Sequence, residues 1–287
     1  MIRHVLALGL TVALTACTIS VTPENTLKVD EDFRRTEFKS LSILNGALLP
    51  LEAKLRHHWL DSDIGPLALT WARQDEQQPS DRLIIYCMGN ATDRQSDGAD
   101  YLAGILPFGD AVIFDYPGYG DSAGSASLEN FEIALTAIAE EINAQPYKEV
   151  IVWGHSMGGF LCPLIVESLN VEVEGVVFEA TFNDASALAR FGVPWYLKPF
   201  IRLKIDERLL TFSSANTLKG FDGKVVVLAA MKDKDLPIAA LRDLANQLVA
   251  TGLNVQYLEF ENAGHYDIAE QPDYETRVKA ALTDDKP

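Results

Sequence analysis

The residues best suited to chemistry lie between Glu149 and Ser168, in E-V-I-V-W-G-H-S-M-G-G-F-L-C-P-L-I-V-E-S. Val150 to Trp153 is a short apolar run rich in β-branched residues, and it reads as a strand buried on both faces. Gly154-His155-Ser156-Met157-Gly158-Gly159 follows at once, and then an apolar segment of helical length. A serine hydroxyl is a weak nucleophile until a base takes its proton. A sharp turn between strand and helix lifts that oxygen clear of the sheet, and small residues two positions either side leave room for the close approach. The backbone N–H of Met157, at the start of a helix, is then aimed where an oxyanion would form.

The base follows by elimination among five histidines. His4 lies in the N-terminal segment, and His57 and His58 in a lead-in. His155 precedes the serine, so its side chain points away from it. That leaves His265, in Glu261-Asn262-Ala263-Gly264-His265-Tyr266-Asp267 after the last predicted strand. An acid must orient the imidazole. The apolar run Val225 to Leu228 leads into Ala229-Ala230-Met231-Lys232-Asp233-Lys234-Asp235-Leu236-Pro237, where Asp233 and Asp235 both qualify. A second oxyanion donor is expected in Cys87-Met88-Gly89-Asn90-Ala91-Thr92, through the backbone N–H of Asn90. No metal or organic cofactor is needed for this chemistry.

The pattern G-x-S-x-G occurs twice. Gly120-Asp121-Ser122-Ala123-Gly124 has the same spacing but the wrong surroundings. The apolar run Ala111 to Phe114 stops well before it, Tyr116-Pro117-Gly118-Tyr119-Gly120 is turn chemistry, and no helix starts directly after Ser122. Ser156 is therefore the expected nucleophile.

These residues need a scaffold, and the hydrophobic pattern supplies one. Strands are expected at Leu67 to Trp71, Leu83 to Cys87, Ala111 to Phe114, Val150 to Trp153, Val176 to Phe178, Val225 to Leu228 and Val255 to Leu258. Leu128, Phe131, Leu135 and Ile138 make a helical stripe capped by Ser127. Short apolar strands alternating with helices imply a mostly parallel sheet, with functional groups at the carboxyl ends of its strands. Every candidate above falls just after a strand. Pro163, seven residues past the serine, should kink the helix that follows it.

The chain resembles the α/β-hydrolase superfamily, and within it serine-aminopeptidase-like hydrolases and small membrane-associated esterases and depalmitoylases. The resemblance rests on Met88-Gly89-Asn90-Ala91, the run Phe114 to Ser122, Gly154 to Gly159, and Gly264-His265, and covers roughly residues 65 to 275. It implies an α/β-hydrolase fold with a small helical cap, and the chain order nucleophile, acid, base: Ser156, Asp233, His265. Its acid typically stands four residues before a proline, which selects Asp233 ahead of Pro237. Met88 departs from the histidine usual at the oxyanion turn, and Ala230 from the usual glycine. Asp115 is expected to pack its own turn.

With 287 residues, 48% apolar, the chain can form one large α/β core. Its net charge of −17 disfavours nucleic acid as a partner. At the N-terminus, Arg3 precedes a dozen apolar residues, Val5 to Ala16, too few to span a bilayer. The segment ends Leu14-Thr15-Ala16-Cys17, which resembles the lipobox of bacterial lipoprotein signals. The resemblance implies cleavage before Cys17, a lipid on its sulfur, and membrane attachment through that anchor. Thr18, in place of the aspartate that signals inner-membrane retention, favours the outer membrane facing the periplasm. The expected organisation is signal 1–17, tether and lead-in 18–50, and a hydrolase domain 51–287 with a cap at about 182–220. Cys87 and Cys162, each inside an apolar run, are expected to be buried free thiols.

The insertion from Thr181 to Phe221 is aromatic and locally basic, with Arg190, Lys198, Arg202, Lys204 and Arg208. It could roof an acyl pocket or simply be two packed helices. The expected function is hydrolysis of carboxylic esters or thioesters with an apolar acyl part. A serine aminopeptidase is an alternative, although no acidic residues can be placed to hold a substrate ammonium. A non-catalytic lipoprotein scaffold is another.

Overall fold

A computed structural model describes residues 17–23, 53–74, 80–193 and 196–283. The expected signal and most of the tether lie outside them.

The main sheet has eight strands. In chain order they are β2 (Lys54–Leu60), β3 (Leu67–Arg73), β4 (Arg82–Cys87), β5 (Asp110–Phe114), β6 (Glu149–His155), β7 (Glu172–Glu179), β9 (Lys224–Ala230) and β10 (Val255–Phe260). A separate pair joins β1 (Cys17–Val21) to β8 (Ile201–Ile205). The spatial order is β10-β9-β7-β6-β4-β5-β3-β2. The β2/β3 and β3/β5 pairings are antiparallel and the rest parallel.

The helices are α1 (Gly98–Ile105), α2 (Leu128–Asn143), α3 (Met157–Leu161), α4 (Ala185–Gly192), α5 (Glu207–Leu210), α6 (Ser214–Thr217), α7 (Ile238–Ala250) and α8 (Tyr274–Thr283). In α2, the Ser127 hydroxyl accepts the N–H of Asn130 at 3.2 Å, as its capping role requires. Pro163 ends α3 early, and the chain continues as a 3₁₀ helix from Cys162 to Ser168.

Successive side chains of β6 enter different cores because strand side chains alternate. Val150 and Val152 face a cluster that includes Phe131 and Leu135 of α2. Ile151 and Trp153 face the other, with Val278 and Leu282 of α8. All four β6 residues are fully buried, which is why the run is apolar without polar alternation.

Three expectations need correction. His57 and His58, read as lead-in, sit on the edge strand β2, where Arg94 donates to His57 Nδ1 at 2.5 Å. A polar, half-exposed edge strand has too weak a hydrophobic period to stand out in the sequence. The tether begins with β1, and the cap is not purely helical, since β8 pairs with it. Cys87 and Cys162 form a disulfide, with Cα atoms 5.9 Å apart. The helix after Ser156 starts hard against the end of β4: a Cβ at Gly158 would come within 2.0 Å of the Cys87 carbonyl oxygen. That packing brings together two cysteines 75 residues apart.

Candidate active site

Ser156 stands at φ 52°, ψ −119°, a left-handed conformation costly for a side chain with a Cβ. The surroundings hold it there. Its N–H donates to the Glu179 carbonyl at 2.9 Å, and its carbonyl accepts the Gly159 N–H at 3.1 Å and the Thr181 hydroxyl at 2.5 Å. The turn needs bare backbone on both sides. A Cβ at Gly154 would lie 2.5 Å from the carbonyl oxygen of Gly158.

His265 and Asp233 meet across 32 residues of sequence. Nδ1 of His265 lies 2.7 Å from Oδ2 of Asp233, whose side chain is fully buried. The other oxygen, Oδ1, accepts the N–H groups of Asp235 and Leu236, both at 2.8 Å. The carboxylate is thus fixed by three donors, and it sets the imidazole tautomer: Nδ1 carries the proton and Nε2 has a free lone pair. Asp235 is exposed and makes no such contact with the imidazole. Asp233, Asp235 and His265 lie close enough to converge on a metal ion, but both Asp233 oxygens and Nδ1 are already bonded to one another or to backbone.

Ser156, His265, Asn90 and Met157 all line one cavity of about 150 Å³. No hydrogen bond joins Ser156 to His265 among the described residues, and such bonds often tighten only around substrate. The remaining walls are Phe160, Phe182, Ala185, Leu209 and Leu236, all apolar, and the acidic Asp235. Phe160 stacks on Phe182 with centroids 5.3 Å apart. Phe182, Ala185 and Leu209 come from the insertion between β7 and β9, so the cap contributes part of the pocket wall.

At the oxyanion turn, Ala91 takes φ 57° and the Thr92 hydroxyl donates to the Gly89 carbonyl at 2.8 Å. The Asn90 side chain is oriented by its Oδ1 accepting the Tyr119 hydroxyl at 2.7 Å, and Asn90 itself lines the cavity. Met88 is fully buried and its carbonyl accepts the Tyr116 hydroxyl at 3.2 Å, so its side chain packs and does not reach the cavity. Both tyrosines belong to the turn held by Asp115. That carboxylate accepts the N–H groups of Arg94 at 2.7 Å and Asp121 at 2.9 Å. Burial pushes Asp115 up to about 7 against the opposing pull of Arg94.

Two supporting residues were not anticipated. His155, fully buried, donates from Nε2 to the His265 carbonyl at 2.8 Å and so pins the loop that carries His265. Burial, with the neighbouring His265, lowers it to about 4, so it stays neutral. Glu179 ends β7 behind the site and accepts the Trp153 indole N–H at 2.7 Å. Burial raises it to about 7, opposed by that hydrogen bond and by His265. It lines a second cavity of about 260 Å³ together with Tyr86, Tyr101, Tyr266 and Tyr274. A lone acid closing the apolar run Val176-Val177-Phe178-Glu179 was the available signal.

The sheet order, the turn at Ser156 and the loops after β9 and β10 define the α/β-hydrolase fold. The Alpha/beta hydrolase family matches residues 96–223 of the chain. A lysophosphatidylserine lipase, ABHD12 of Danio rerio, is 28% identical over 206 residues, 66% of this chain and 54% of that protein. The chain therefore spans about half the length of the curated relatives it matches. An esterase of Pyrococcus furiosus superposes with a TM-score of 0.62 at 17% identity, covering 82% of this chain and 92% of that one. A thermostable esterase from Pseudomonas putida gives 0.57 at 14% identity, covering 91% and 94%. At these identities the solved structures establish likeness of fold.

Proposed function

We propose that the protein is a serine hydrolase that cleaves carboxylic esters or thioesters through an acyl-enzyme. The observation that carries this is the 2.7 Å contact of Asp233 with His265 Nδ1 beside a cavity that His265 shares with Ser156. Nε2 of His265 takes the Ser156 proton while Oγ bonds to the acyl carbon. The carbonyl oxygen becomes an oxyanion facing the N–H groups of Met157 and Asn90. The bond to the alcohol or thiol then breaks, and His265 returns the proton to that leaving group. Water repeats the cycle, releasing the acid and Ser156. Each oxyanion donor contributes about 2.7–4 kcal/mol to such barriers.

The remaining walls set five apolar side chains against one carboxylate, the exposed Asp235, which suits an acyl chain better than an ammonium and favours the esterase over the aminopeptidase. A cavity of about 150 Å³ takes a group roughly the size of benzene. The expected preference is therefore for short acyl chains, and longer ones require the cap to move. A fluorophosphonate probe should label the folded protein, and Ser156→Ala should abolish labelling. Turnover of p-nitrophenyl esters of graded length should peak at short chains. A folded protein that neither labels nor turns over any of them is a scaffold instead.

The same reading places the protein in a bacterial envelope, anchored by a lipid on Cys17, most simply at the outer membrane facing the periplasm. The Cys87–Cys162 disulfide supports an exported chain, because such bonds persist in oxidising compartments. Cys17→Ser should move the protein from the membrane fraction to the soluble one. Unchanged fractionation rejects the anchor.

A further inference from the structure

Basic side chains are scarce in a chain of net charge −17, yet the cap presents a row of them. In β8, Arg202 and Lys204 are exposed while Ile201, Leu203 and Ile205 are half-buried. The parallel strand β1 sets Thr18 beside Arg202 and Ser20 beside Lys204. Paired residues of neighbouring strands share a face. One face of this two-stranded ribbon is thus Thr18, Arg202, Ser20 and Lys204, and from the other Val21 and Ile205 pack against the core. Among the described residues neither Arg202 nor Lys204 forms an ion pair. Asp206, close enough to feel Lys204, is itself paired with Arg208 at 2.9 Å.

Exposed apolar side chains concentrate on the same elements. Ile19, Tyr196, Leu197, Phe200 and Leu210 are each 38–58% exposed, and they are five of the nine large apolar side chains exposed among the described residues. Scattered singly they would need no explanation; Ile19 lies on the opposite face of the ribbon, but Tyr196, Leu197 and Phe200 directly precede the basic strand, and that does. Leu210 immediately follows Leu209, which lines the acyl cavity. The short helix α5 therefore forms pocket wall on one side and exposed apolar surface on the other.

The register adds a third observation. Cys17 pairs with Ile201. The backbone at Cys17 therefore lies alongside the residue that follows the exposed Phe200. Aromatic and aliphatic side chains rimmed by Lys and Arg suit the headgroup boundary of a bilayer. A protein partner would not need that charge.

We propose that the β1–β8 face of the cap docks on an anionic phospholipid bilayer, with Arg202 and Lys204 on lipid phosphates and Phe200, Leu197 and Tyr196 in the headgroup boundary. The docked cap also carries Leu209 of the pocket wall. The functional meaning rests on the hydrolase reading above, but the docking can be measured apart from it.

The test uses the lipid-modified protein purified from membranes and reconstituted on vesicles. One set is phosphatidylcholine alone and the other includes phosphatidylglycerol. Phe200→Trp should add fluorescence quenchable by brominated lipids, more so with phosphatidylglycerol present. Arg202→Glu with Lys204→Glu should cut hydrolysis of a bilayer-embedded ester by about fivefold per residue on the anionic vesicles. Turnover of a soluble short-chain ester should not change. Absence of added quenching, or quenching indifferent to phosphatidylglycerol, overturns the docking, as does a charge-reversed protein that differs only by changing its oligomeric state. Failure of the unmutated protein on the soluble ester overturns the hydrolase reading instead.

Discussion

Two serines in this chain share the pattern G-x-S-x-G and have opposite environments. Ser156 sits on a strained turn between β6 and α3, on the wall of an apolar cavity beside His265. Ser122 is buried in a loop, where its hydroxyl donates to the Asp115 carbonyl at 2.7 Å and accepts the Ala68 N–H at 2.9 Å. One hydroxyl keeps its hydrogen-bonding capacity open to a substrate; the other is saturated by backbone. Five residues specify the local spacing, but what precedes and follows them determines whether the oxygen is presented or buried. Ser122 nonetheless serves the first site indirectly. It closes the turn that carries Tyr119, and Tyr119 holds Asn90.

The sharpest way to break the comparison is to remove each hydroxyl. Ser156→Ala should lower kcat on a p-nitrophenyl ester by on the order of 10⁶, leaving the thermal transition nearly unchanged. Retained turnover would reassign the nucleophile. Asp233→Asn should follow, at about 10⁴ in kcat, because the amide can present its NH₂ to Nδ1 and invert the tautomer. Asp235→Asn, lacking the His265 contact, should cost far less, and steady-state kinetics of the pair distinguishes them.

The third effect is on stability. Glu179 titrates near 7 in the folded protein and near 4.5 when unfolded. Between those values the folded state binds the extra proton, so its contribution is present below about 4.5 and is lost as pH rises through 7. Glu179→Gln can keep the Trp153 hydrogen bond through its amide oxygen and has no such loss. The variant should gain on the wild type with rising pH, by up to about 3 kcal/mol, as read by denaturant melts across that window. A pH-independent difference would mean that Glu179 stays charged. His155 acts in the opposite sense, since its depressed value favours the folded state above about 6.5 and loses that as pH falls toward 4.

The smallest effect is the most pointed for the comparison. Ser122→Ala should destabilise by about 2 kcal/mol, because it orphans the Ala68 N–H and the Asp115 carbonyl. Per folded molecule, ester turnover should remain close to wild type. A loss as deep as that of Ser156→Ala would show that the loop shapes the site more strongly than its contacts suggest.

Much of this was legible in the chain. The central strands are continuous apolar runs because both faces are buried, so β4, β5, β6, β7 and β9 stand out by composition alone. The edge strand β2, with alternating exposed and half-buried residues, carries no such contrast. Ser156 and His265 could be named from turn chemistry and elimination, since each follows a strand directly. The roles of His155 and Glu179 could not, because their partners, the His265 carbonyl and the Trp153 indole, lie 110 and 26 residues away.

The sequence by itself determined the alternation of strands and helices and the sharp turn at Ser156, both of which rest on neighbours a few residues apart. Tertiary structure alone decided that Cys87 bonds to Cys162 and that the strand beginning at Cys17 lies along the cap, and only there does Asp233, which the resemblance had selected over Asp235, meet the imidazole. Those are meetings between distant segments. Their partners are selected by where the sheet and its connections bring backbone together, and local pattern carries no record of that.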